Sequence, residues 1–187
     1  MGTLPIFETK RLTLKAVTLE DEPAYTRHFV NYEVIRHLAD KVPWPYPEHG
    51  VHDYLVDVIL PHQGMDKWVW GLFLKDAPHE LVGGIALWGP GSPENRGFWL
   101  AEHLWGRGLM TEAVIPVMDY AFDELGFDEL VFTNAAGNER SKRVKEKTGA
   151  TFIGREPAGF VDPAYKEREL FKLTKSEWRA FRAEPNN

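Results

Sequence analysis

The chain has 187 residues, 22 basic against 28 acidic side chains, and a formal charge of −6. With 43% hydrophobic and 27% charged residues it has the composition of a folded chain that can bury a real core, not a disordered one. The absence of cysteine excludes disulfides, thiolate metal sites and cysteine nucleophiles, and the net negative charge argues against nucleic acid as a partner. No run approaches the roughly 20 apolar residues of a membrane span, and the start MGTLPIFETKRL has no apolar signal segment. The expectation is a cytoplasmic protein without membrane attachment, with residues 1–187 forming one domain.

In chain order, residues 8–16 alternate, with Leu12 and Leu14 facing one way and Arg11, Thr13 and Lys15 the other, which predicts a half-buried strand. Thr18 caps a predicted helix over 19–30 whose acidic first turn suits the helix dipole. Pro43, Pro45 and Pro47 force a loop, and a helix follows over 52–63. Three strands, 67–75, 80–88 and 96–101, are rich in aromatic and branched residues and separated by turn signals. A helix follows from about Leu109 to Leu125, with Pro116 interrupting its hydrogen bonding and kinking it. Then come a strand at 129–135, a helix at 139–148, strands at 150–155 and 165–173, and a last helix at 175–182, while the terminal AEPNN looks unstructured. Strands dominate early and interleave with helices later, so the class is α+β with a mixed sheet.

Residues 98–114 carry the strongest chemical signal. A strand ends, Gly106 and Gly108 form a turn, and a helix begins at once, so backbone N–H groups at the helix start can hold an anion beside Arg107. The same pattern is also that of an ordinary strand-to-helix turn, in which glycine only supplies φ > 0. His49 and His52 are spaced to share a helical face, but without a third ligand nearby they predict a solvated helix start and no metal. Trp68, Trp70, Trp88, Trp99 and Trp105 read as core aromatics.

The H-x-x-G-x-G of His103 to Gly108, running into L-M-T-E-A, resembles the acetyl-CoA-binding motif of the GNAT N-acetyltransferases, in its RimJ/RimL-like branch. A second block, N-E-R-S-K-R-V-K-E-K-T-G-A at 138–150, is similar to a block of the same branch, as are the opening E-T-K-R-L-T-L-K and the closing L-F-K-L-T-K-S-E-W. The resemblance covers roughly residues 7–180. It implies a GNAT fold: a mixed, mostly antiparallel sheet of about six to seven strands, splayed between the 96–101 and 129–135 strands and flanked by helices.

The resemblance further implies acetyl-CoA as co-substrate, with no metal. Backbone groups of Phe98, Trp99, Leu100 and Ala101 would bond the pantetheine arm and the thioester. The N–H groups of Trp105, Gly106, Arg107, Gly108, Leu109, Met110 and Thr111 would hold the pyrophosphate. Asn138 would meet the pantetheine side, and Ser141 sits where a hydroxyl can protonate the departing thiolate. Both also fit a plain helix cap. Arg143 belongs to a basic island, Arg140 to Lys147, carrying a local +4 where CoA's phosphates would lie. Glu112 is assigned to the helix dipole.

Relatives place a glutamate where this chain has Asn95, so the candidates for the base that takes the amine proton are Glu94, Glu102 and His103. Trp44 and Tyr46, in the proline-rich loop, are candidates for contacting the acceptor. The implied reaction is acetyl transfer to a primary amine by direct attack on the thioester, the partner being a protein N-terminus or a small amine and the enzyme a monomer or homodimer. A second class is an acyl-CoA-binding or regulatory module with little turnover, which the missing carboxylate at Asn95 favours.

Overall fold

Alternation along the central strands sends their side chains to two different cores. In the computed structural model, which describes residues 3–185, Leu12, Leu14, Trp70 and Leu72 point to one side of the sheet. Val17, Val69, Phe73 and Leu81 point to the other. The strands are β1 (Phe7–Glu8), β2 (Leu12–Ala16), β3 (Lys67–Leu74), β4 (Ala77–Trp88), β5 (Arg96–Leu100), β6 (Glu129–Ala135), β7 (Thr151–Pro157) and β8 (Glu167–Thr174). They form two sheets, one in the order β1-β2-β3-β4-β5 and the other β6-β8-β7, with every ladder antiparallel. The break falls between β5 and β6, where the splay was expected. The strand predicted over 8–16 is a bent pair, β1 and β2, because Leu12 N–H bonds the Thr9 hydroxyl and turns the chain back.

The helices are α1 (Glu22–Phe29), α2 (Tyr32–Ile35), α3 (Gly50–Asp53), α4 (Leu109–Asp123), α5 (Glu139–Lys147) and α6 (Lys175–Ala183). α4 seals one core with Ala113, Val114, Val117, Met118, Ala121 and Phe122, each at most 1% exposed. Fully burying the larger of these contributes about 1.5–3 kcal/mol per side chain. α4 runs continuously through Pro116, so the expected interruption amounts to one missing donor and not a break. α1, α3 and the segment after α3 cover the opposite core with Tyr25, Phe29, Val51, Leu55 and Ile59.

Three helical segments differ from the sequence expectation. The helix predicted over 19–30 begins with a 3₁₀ turn, Leu19–Asp21, and becomes α-helical only at Pro23's turn. The helix predicted over 52–63 widens after α3 into i→i+5 bonding over Tyr54–Ile59, with Leu60 N–H on the Leu55 carbonyl at 2.9 Å. α2 was not foreseen. It is a single turn whose cap, Asn31, accepts the Glu33 N–H at 2.9 Å. No described helix is long and apolar enough to cross a membrane. Of the terminal AEPNN, Asn186 and Asn187 lie outside the described residues.

Candidate functional site

A buried asparagine helps to join the two sheets. Asn95 is 5% exposed; its N–H donates to the Val131 carbonyl and its Oδ1 accepts the Val131 N–H, both at 2.8 Å. Its Nδ2 donates back to the Gly89 carbonyl at 3.2 Å. A side chain thus completes one step of ladder between β5 and β6, and beyond it the strands part. The asparagine that stands where relatives carry a glutamate is therefore part of the fold's hinge.

The ladder with β4 determines what β5 offers to the gap. Trp88 N–H bonds the Asn95 carbonyl at 2.9 Å and Ala101 N–H bonds the Val82 carbonyl at 2.8 Å. Bonding alternates along an antiparallel pair, so Phe98 and Leu100 turn their N–H and C=O away from β4 and toward the gap. The Leu100 carbonyl accepts the Trp105 indole N–H at 2.8 Å. Both backbone groups of Phe98 and the N–H of Leu100 therefore face the opening.

The far end of the gap meets the start of α4. Gly106 and Gly108 have φ of +74° and +73°, values that L side chains rarely adopt, and they swing the chain so that α4 begins beside the opening. Glu112 N–H makes the bond to the Gly108 carbonyl, so the N–H groups of Leu109, Met110 and Thr111 project from the helix end. Arg11, in the bend just before β2, clamps this turn, donating to the Arg107 carbonyl at 2.9 Å and to Glu112 at 3.2 Å. Glu112, assigned from the sequence to the helix dipole, pairs with Arg11 in the first turn of α4.

Between the sheets lies a cavity of about 400 Å³. Its lining includes Glu94, Phe98, Trp99, Leu100, Asn138, Ser141 and Arg143, and the whole run Trp105 to Thr111. Ala101 is not among them: it is fully buried and its backbone is spent on Val82 and Leu104. Glu102 and His103 also lie outside. The 3₁₀ turn Glu102–Leu104 buries Leu104 and throws the two polar residues outward, where Glu102 accepts from Asn31 at 2.6 Å and His103 packs on the His28 ring. Trp44, 42% exposed, packs on Tyr32, and Tyr46 packs edge-on against Phe29; neither lines the cavity. His52 pairs with Glu22, and no cluster of metal-ligating side chains occurs among the described residues.

α5 projects Ser141 into the cavity because Asn138 caps that helix, accepting the Ser141 N–H at 3.4 Å. The basic island is not all surface. Lys145 is 2% exposed and donates to Ser141 Oγ at 2.8 Å. Burial, then the Arg96 charge, hold its ammonium well below the usual lysine value, against the opposing pull of Glu94 and Glu169. Arg96, 3% exposed, stacks on Phe132 at 3.8 Å, and burial lowers its pKa to about 9. Glu94 accepts from the Thr133 hydroxyl on the opposite strand, which places its carboxylate inside the cleft. Neither Arg96 nor Lys145 stood out in the sequence: charged residues at strand and helix positions ordinarily face water, and only the packing puts these two inside.

The opposite rim is assembled from distant segments. Ala39 bridges to Phe160, Arg36 bonds Asp162 at 2.6 Å, and His37 Nε2 meets the Tyr165 hydroxyl at 3.1 Å. His37 lines the cavity, and burial, then Arg140 and Arg36, lower its pKa, keeping the ring neutral near pH 7. Arg140 lies across this mouth on the Trp105 ring at 3.7 Å.

Residues 11–151 match the model of the acetyltransferase (GNAT) domain family. The chain belongs to that family. Among its relatives, YdaF of Bacillus subtilis (strain 168), named as a ribosomal N-acetyltransferase, is 32% identical over 44% of this chain and 45% of YdaF's own length. The FsC-acetyl coenzyme A-N(2)-transacetylase of Aspergillus fumigatus is 26% identical over 93% of this chain and 78% of that protein. The fold is shared with RimJ of Mycobacterium smegmatis, solved in complex with CoA-disulfide, at a TM-score of 0.78, with 17% identity over 92% of this chain and 88% of that one. The expectation of an N-acetyltransferase of the GNAT family, RimJ/RimL-like in fold, is met. Acetyl-CoA is the donor used by GNAT acetyltransferases. An unpaired strand edge, a glycine turn and a free helix start fit a long amide-bearing, phosphate-ended molecule.

Proposed function

We propose that residues 1–187 act as one domain transferring the acetyl group of acetyl-CoA to a primary amine, a protein N-terminus or a small amine, by direct attack on the thioester. The observation that carries this reading is the unzipped seam: β5 keeps its β4 bonds but leaves Phe98 and Leu100 groups facing a cavity that ends on α4's first N–H groups. When bound, acetyl-CoA supplies the activated acyl carbon. Phe98 and Leu100 would bond the pantetheine arm and Leu109 to Thr111 its pyrophosphate. Arg107 and Arg143 add charge beside the phosphates, and Asn138 holds Ser141 at the sulfur.

An α-amino group, with a pKa of about 7.7–8.0, needs little help to lose its proton, whereas a lysine side chain at about 10.4 needs much more. An N-terminal or similarly weak amine therefore suits a cleft with a modest base. Glu94 is the candidate carboxylate for that step, since it lines the cavity where Glu102 and His103 do not. The chemistry needs no covalent enzyme intermediate, in keeping with a chain that has no cysteine.

The test is CoA release on adding acetyl-CoA with a panel of N-terminal peptides, small amines and amino acids. Release with at least one amine, lost roughly 10²-fold in Ser141→Ala while acetyl-CoA affinity stays the same, is the expected result. Binding without release for every amine would sink the transferase reading and leave an acyl-CoA-binding module.

A further inference from the structure

Lys145 has no task in the reaction as proposed, yet it is one of the most deeply buried charged groups in the protein. It follows Ser141 by four residues, so α5 stacks the two on one face. Its ammonium donates to Ser141 Oγ at 2.8 Å and to the Ser141 carbonyl at 3.3 Å. The rings of Phe98 and Phe171 stand 5.3 and 5.9 Å from the nitrogen. The charged groups that face it are Arg96 on β5, Glu94 just before β5 and Glu169 on β8. Both carboxylates are engaged elsewhere, Glu94 by Thr133 and Glu169 by Arg155 at 2.7 Å and Asn134 at 3.0 Å.

The consequence follows from the donor inventory. A protonated lysine has three donors and no acceptor. While its N–H occupies Ser141 Oγ, the serine cannot return its own proton inward, so the hydroxyl must donate toward the cavity. A neutral amine carries a lone pair, and the hydroxyl can then turn inward and leave the cavity without a donor. The charge on Lys145 thus decides which way the Ser141 proton points.

We propose that Lys145 is a positioning residue for the departing thiolate, holding the Ser141 hydroxyl toward the cleft and replacing the proton it gives up. The inference rests on the acetyl-transfer reading above. The amine nitrogen bonds to the thioester carbon and the C–S bond breaks with its electron pair on sulfur. The Ser141 Oγ proton passes to that sulfur, a Lys145 Nζ proton passes to Oγ, and the proton released by the amine restores the ammonium through solvent. The net change is amine plus thioester to amide plus thiol.

Burial lowers the pKa of this ammonium, so rising pH removes its proton sooner than from an exposed lysine. Turnover must therefore fall as pH rises through that value. The first measurement needs no amine: thiolate absorbance of CoA bound to the whole protein, titrated in wild type, Lys145→Met and Ser141→Ala. The bound thiol is expected to titrate roughly one unit lower in wild type than in either variant, with the double variant no higher than the singles. Equal titration in wild type and Lys145→Met overturns the proposal and leaves acetyl transfer standing. Failure of CoA to bind wild type overturns both. A second measurement needs no change at Lys145: kcat at saturating amine should fall at high pH in wild type and stay flat in Ser141→Ala. The same fall in both proteins overturns the proposal.

Discussion

The glycine-turn side of the cleft comes from two unbroken stretches of chain, residues 98–111 and 138–145, whereas the opposite rim is pieced together from segments more than a hundred residues apart. On the glycine-turn side, backbone groups line the cleft: the gap-facing edge of β5, a positive-φ turn and a helix start. On the opposite rim the pieces are held by side chains, Arg36 on Asp162 and His37 on Tyr165. Backbone geometry is dictated locally, so a few neighbouring residues suffice to specify a fixed ligand. Side-chain pairs across the fold can be exchanged without disturbing that frame.

Three changes would break or sharpen this contrast. The largest effect is expected from Gly108→Val. A Cβ there meets only Arg11 Nη2 at an ordinary 3.7 Å, so the cost comes from φ of +73° and not from a clash. Forcing a branched residue into that region costs about 1–3 kcal/mol. Acetyl-CoA affinity, read by calorimetry, should fall tenfold or more, with amine selectivity unchanged; retained affinity would place the pyrophosphate elsewhere.

Next is the seam where the two sides meet. Asn95→Ala removes the acceptor for a half-buried Val131 N–H and the Gly89 bond together, and should lower unfolding stability by about 1–3 kcal/mol in denaturant titration. No loss would mean that the sheets are held together without it.

The smallest effect is reserved for the rim. Arg36→Leu should raise the KM for the amine a few-fold and leave acetyl-CoA affinity alone. The rim also carries a pH signature. The Ala164 N–H and then Arg36 hold the Asp162 carboxyl below its usual range. Such a group contributes stability above its unfolded value, and that contribution is lost as pH falls through the depressed folded value. Hydrogen exchange should show residues 36–39 and 160–165 loosening in acid ahead of the α4 turn; simultaneous loosening would remove the distinction.

How much of this could be read from the chain follows the same division. Gly106, Gly108 and the helix start at Leu109 fall within four residues, so their joint meaning is visible without a structure, and so is the pairing of Asn138 with Ser141. Glu102 and His103 were equally close in sequence to that turn yet face outward, because Leu104 must be buried and a 3₁₀ turn places its neighbours on the other side. Asn95 read as a missing base until its bonds to Val131 showed a hinge. Trp44 and Tyr46 stand off the cavity, while His37, which no local pattern marks, lines it.

Alternation, helical spacing and turn residues by themselves determined which segments are strands and helices, and the glycine turn determined where an anion can be held. Those are properties of neighbours along the chain. Only the tertiary structure decided which charges are inside. Lys145 and Arg96 carry the same side chains as any exposed lysine or arginine. Packing beneath the divided sheet takes them out of water, lowers their pKa values and sets Lys145 against Ser141.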